Sequence, residues 1–156
     1  MPGLFDRLMA GKARTTRQRG AGWTVEELKD SVALALENLF NTRAALPEQV
    51  LAGFPEVRAS VMNYGLIDFA GMCLSSDDDR KKICAAMERA IADHEPRLVD
   101  VSATLRIDEK QVNRVDFVVS GRLKADAVGG AVRFDGVLRP TTQQYAVSKS
   151  RLAGDA

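Results

Sequence analysis

The sequence predicts an α+β fold: N-terminal helices packed on a small antiparallel meander of three to four strands. Three observations predict it. The apolar period is 3.6 residues through residues 25–40 and again through 76–94. It switches to 2 at Leu98. The alternating runs then follow one another across short polar turns, as antiparallel hairpins do. Such a sheet has an apolar face, and only the preceding helices can cover it.

The chain has 156 residues, 46% of them hydrophobic and 28% charged. This is one domain of ordinary globular composition, large enough to bury a core without staples. No apolar run approaches the ~20 residues that span a bilayer, so the reading is a protein not embedded in a membrane. Two cysteines, Cys73 and Cys84, make no disulfide framework and read as reduced thiols in the cytoplasm. The single histidine, His94, excludes a multi-histidine metal centre.

Charge is distributed unevenly. Residues 1–22 hold Arg7, Lys12, Arg14, Arg17 and Arg19 against Asp6 alone. We read them as a flexible basic arm preceding a domain over 23–150, with 151–156 as a disordered tail. Leu4, Phe5, Leu8 and Met9 lie at helical spacing within the arm. Five cations without interleaved aromatics do not make a nucleic-acid-binding arm.

The first long helix starts at Thr24. Thr24 and Glu27 have capping-box spacing, and Trp23 is placed to staple against Leu28. Val25, Leu28, Val32, Leu36, Leu39 and Phe40 form its core face, and the helix ends near Asn41-Thr42-Arg43. Pro47, Gly53 and Pro55 limit the next stretch to short helical turns around 48–52 and 56–62, and Asn63-Tyr64-Gly65 marks a turn. Ser76 caps a second long helix whose first turn holds Asp77, Asp78 and Asp79, where the helix dipole favours negative charge. Pro96 stops that helix. Strands follow over 98–108, 115–124 and 132–138, and a short terminal one over Gln144–Ser148.

Chemistry-bearing residues are sparse. No metal-ligand spacing, phosphate loop or nucleophile elbow is present, so no cofactor or metal is expected. Cys84 and His94 lie ten residues apart on one helix, too far around it to converge, and Cys84 reads as core. Glycoside hydrolysis needs two positioned carboxylates. Glu95 is the only one in an apolar setting, because Asp100, Asp108 and Asp116 alternate onto the solvent side. The expectation is a protein that is not an enzyme. The junction Glu95-Pro96-Arg97 places an acid at the negative end of a helix dipole, where it needs a partner. Glu95 and Arg97 point to one side across the proline, and two arrangements fit: a local ion pair, or a clamp across an interface. A meander also leaves its outer strands as edges. The terminal strand, Gln144, Tyr145, Ala146, Val147 and Ser148, is the favoured one for pairing with another chain.

Four blocks resemble TssE, the type VI secretion baseplate subunit similar to the wedge protein of contractile phage tails. They are Leu4-Phe5-Asp6-Arg7-Leu8, Asn41-Thr42-Arg43, Tyr64-Gly65-Leu66 with Asp68, and Glu95-Pro96-Arg97-Leu98. The likeness covers about residues 4–150, and the Glu-Pro-Arg-Leu block is its most specific part. Two departures stand out: a longer spacer between Arg43 and Tyr64, and Ile67 where family members often have proline. The resemblance implies a non-enzymatic structural subunit in a wedge with TssF and TssG. Strand augmentation would join it to the first ring of the contractile sheath. It extends the candidate partners to TssK and the spike and tube components, at the cytoplasmic face of the inner membrane. The family's "lysozyme" label raises a peptidoglycan-cleaving enzyme as the alternative. A free-standing adaptor with a basic arm is another.

Overall fold

Helix α1, Val25–Phe40, opens on the expected capping box. The Glu27 amide donates to Thr24 Oγ1 at 3.2 Å, and the Thr24 amide donates back to Glu27 Oε2 at 2.9 Å. The computed structural model describes residues 24–108, 113–124 and 130–150. The basic arm, the Trp23 staple and the C-terminal tail lie outside the described residues. Leu28, Val32, Leu36, Leu39 and Phe40 are buried as the period requires, and Ser31 is buried among them. Val25 is only half-buried, because it sits in the open first turn.

Two short helices, α2 (Glu48–Gly53) and α3 (Pro55–Arg58), fill the spacer, followed by a 3-10 turn at Val61–Asn63. Pro47 and Pro55 set their starts, and only Leu51 is buried there. Phe54, Val61 and Met62 stay exposed. Helix α4, Asp77–His94, begins at Ser76, whose hydroxyl accepts from the Asp79 amide. It buries Ile83, Met87, Ala90 and Ile91. Cys84 is half-buried and packs against this core, while Cys73 is exposed. Burial pushes the Cys84 thiol up, against the opposing effect of the Leu105 amide that faces it.

The strands are β1 (Leu98–Ile107), β2 (Val115–Leu123), β3 (Ala131–Arg139) and β4 (Gln144–Lys149). They form one antiparallel sheet in the order β1-β2-β3-β4, the expected meander. Both helices lie on one face, where Phe117, Val119 and Phe134 meet Leu36, Ile83 and Ile91 as fully buried side chains. The opposite face carries Thr104, Arg106, Arg122 and Arg133, all exposed. Val118 is the exception there, with 8% exposure on a central strand beside Thr104 and Asp135.

The unbroken alternation expected along β1 does not hold. The pairing of β1 with β2 shifts by one residue between Val99 and Ser102, where two residues oppose Gly121. Asp100 takes a left-handed backbone, φ 54°, to absorb the extra residue. The shift returns Leu98, which is 3% exposed, to the core face that Ala103 also occupies. Asp100 then pairs with Arg122 across the sheet.

Gly136 lies opposite Phe117 in the core layer, and the Phe117 ring covers it. A Cβ there would stand 2.0 Å from Phe117 Cζ. That ring is also wedged against Phe40 and Tyr145, with centroids at 5.7 and 6.0 Å. Gly136→Ala should therefore cost about 1–3 kcal/mol by overpacking, read as a lower urea midpoint at unchanged slope. A loss below 0.5 kcal/mol would mean that the ring has another place to go.

Candidate functional site: the motif blocks at the two ends of helix α1

The blocks Asn41-Thr42-Arg43 and Tyr64-Gly65-Leu66 meet. Arg43 and Leu66 form a parallel β-bridge. The Leu66 amide donates to Thr42 O at 2.8 Å, and the Ala44 amide donates to Leu66 O at 2.9 Å. Arg43 Nη1 reaches Asp68 Oδ2 at 3.2 Å, an exposed pair of small energetic weight. Gly65 makes the close approach possible. Its φ is +126°, and a Cβ there would sit 2.3 Å from Thr42 O. Asn63-Tyr64-Gly65 is thus the exit of a 3-10 turn into a bridging strand residue rather than a free-standing turn.

Behind the bridge lies a cavity of about 150 Å³ floored by Phe40, Leu66, Phe69, Met72, Leu138 and Tyr145. Burial pushes the Tyr145 phenol up to about 12.

Glu95 and Arg97 occupy the α4–β1 junction. Arg97 Nε donates to Glu95 Oε1 at 2.7 Å and Nη2 to Glu95 Oε2 at 2.8 Å, a bidentate pair. Arg97 Nη1 donates to Ser31 Oγ of α1 at 2.9 Å. Glu95 is 5% exposed and Ser31 7%. Of the two arrangements open to the sequence, the structure has the pair closed within the chain. Pro96, which is exposed, supplies the bend that turns both side chains inward. Sequence reading missed Ser31, because a serine on an apolar helix face carries no signal until its partner is known.

Tyr64 joins this end of the site to the bridge. Its ring meets His94 edge-on at 5.3 Å, and the Tyr64 phenol is pushed up by burial and by the nearby Glu95 charge. His94 Nε2 lies 3.1 Å from Asn63 O. Among the described residues no group of three or more His, Cys, Asp or Glu is arranged to hold a metal. Both Glu95 oxygens are engaged by Arg97.

Gln144–Ser148 forms most of β4, and β4 is an edge strand as expected. Three of its outward main-chain groups are nonetheless occupied. The Tyr145 amide donates to Asn41 Oδ1 at 2.9 Å, and Asn41 Nδ2 donates to Tyr145 O at 2.8 Å. The Val147 amide donates to Glu37 Oε2 at 2.9 Å. Lys149 Nζ sits 3.1 Å from both Glu26 and Asp30. Gln144, Ala146 and Ser148 point their amides at β3, as does Ser150, which donates to Arg133 O at 2.9 Å. At the other edge, the Ala103 amide donates to Glu88 Oε1 of α4 at 2.8 Å.

No curated protein matches the chain. A chain of "The baseplate complex from the type VI secretion system" superposes with a TM-score of 0.53. The match has 12% identity and covers 81% of this chain and 97% of that one. The likeness is one of fold. The family of baseplate wedge protein gp25 matches residues 26–128, a span that holds three of the four motif blocks and well over half of the sequence. The chain therefore belongs to the baseplate wedge protein gp25 family.

Proposed function

We propose that this chain is a non-enzymatic structural subunit of a type VI secretion baseplate wedge. In this reading it joins baseplate subunits of the TssF and TssG kind to the first ring of the contractile sheath. Assembly takes place on the cytoplasmic side of the inner membrane. The observation that carries the reading is the family match over 26–128, together with motif blocks whose polar groups are satisfied by one another. Such residues brace a shape for docking and leave nothing positioned for turnover. No helix among the described residues is long and apolar enough to cross a membrane. Phe54, Val61 and Met62, grouped on the spacer, are an apolar surface of the kind that assembly covers. The junction Glu95-Pro96-Arg97 acts in this reading by fixing the angle between α4 and β1, and through it the sheet offered to partners. The sheath link uses strand addition at an edge of that sheet.

The test is affinity purification of the tagged, full-length chain from its own cells, with identification of the co-purifying proteins. Wedge and sheath subunits at fixed ratio are the expected result. Release of soluble fragments from purified peptidoglycan, abolished by Glu95→Gln in a folded variant, would overturn the structural reading.

A further inference from the structure

We propose that Asn41 and Glu37 are placeholders for an absent strand: they close the β4 edge in the free subunit and swing away when an extended segment of a sheath subunit adds to it. This rests on the sheath-linking function proposed above and adds a gate to it.

The geometry is specific. An added strand would exchange both main-chain bonds with Tyr145 and take the Val147 amide. The Asn41 carboxamide, chemically a peptide group, already makes both bonds to Tyr145, at 2.9 and 2.8 Å. The Glu37 carboxylate takes Val147. Glu37 lies in the last turn of α1 and Asn41 caps it, and both act through side chains. Releasing these three bonds therefore takes rotation about side-chain bonds, with the lost hydrogen bonds replaced by those of the incoming strand.

β1 is a poorer template. Its ladder is broken at Asp100 by the extra residue, whereas β4 pairs with β3 without interruption from Gln144 to Lys149. Bulges are a known protection of edge strands. Charge further specifies the partner. Glu26, Asp30 and Glu37 lie along the α1 face beside β4, and Lys149 bonds the first two. These carboxylates disfavour Asp or Glu on a strand laid against this edge, so the incoming segment is expected to carry neither opposite Val147.

The experiment compares wild type with the double variant Asn41→Ala/Glu37→Ala in the full-length chain. The readouts are amide hydrogen exchange and binding to purified sheath subunits of the same secretion system. Exchange at Tyr145 and Val147 should accelerate at least tenfold while Ala146 and Ser148 stay slow. Sheath binding should tighten about tenfold, the factor that one net hydrogen bond of competition is worth. Should the double variant fail to fold, Glu37→Ala alone leaves the Asn41 bonds in place and carries the same readouts at Val147. Equal or weaker binding by a folded, edge-opened variant would overturn the gate and leave the sheath link standing. Unaltered exchange at Tyr145 and Val147 would overturn it too. Binding by neither wild type nor variant would overturn gate and sheath link together.

Discussion

Arg97→Ala should lower the stability of the isolated chain by about 3–5 kcal/mol, the usual consequence of leaving one member of a buried ion pair alone. The Glu95 side chain is 6% exposed and accepts from the Nε, Nη2 and main-chain amide of Arg97. The Ser31 hydroxyl, 7% exposed, loses its Arg97 donor in the same step. Urea unfolding of the purified chain reads the loss. Glu95→Leu/Arg97→Met should recover most of it, because an apolar pair of similar volume removes the stranded charge. A change below 1 kcal/mol in Arg97→Ala would show that water or another cation reaches Glu95 readily. Assembly would suffer through a shortage of folded subunit, so wedge association must be compared per folded molecule.

Gly65→Ala is expected to cost about 3 kcal/mol or more. A side chain at φ +126° is strained by itself, by roughly 1–3 kcal/mol. The new Cβ also meets three main-chain atoms, Thr42 O at 2.3 Å, Thr42 C at 2.7 Å and Ala44 N at 2.8 Å, none of which can rotate aside. The bridge between Arg43 and Leu66 should open, and its amides at Ala44 and Leu66 should exchange at rates close to those of free peptide. Gly53→Ala is the matched control, because a Cβ at that position meets nothing within 4 Å. If both substitutions leave urea midpoint and exchange alike, the two motif blocks are held together by something other than this approach.

The resemblance noted from four short blocks is sustained at the level of the family, and the three blocks among the described residues prove to be structural joints. Asn41-Thr42-Arg43 and Tyr64-Gly65-Leu66 are two sides of one bridge. Glu95-Pro96-Arg97 ties α4 and β1 to α1 through Ser31. Their residue types were legible, and their partners were not. The edge position of Gln144–Ser148 was legible from the meander alone. The amide directions were not, and they matter: Tyr145 and Val147 face outward, into side chains of α1.

By itself, the sequence determined the two long helices with their caps at Thr24 and Ser76, the stop at Pro96, and four strands in meander order. Each of these follows from spacing within a few residues, through hydrogen bonds that close over three or four positions or side chains that alternate over two. Tertiary structure alone decided three other features. Arg97 closes on Glu95 and on Ser31, the latter 66 residues away. Asp100 absorbs an extra residue, because Leu98 and Ala103 must face one core across a fixed partner strand. Asn41 and Glu37 occupy the β4 edge from 104 and 110 residues away. Those contacts form only once the helices are laid on the sheet, since a local period specifies which face a residue takes and not which distant residue meets it.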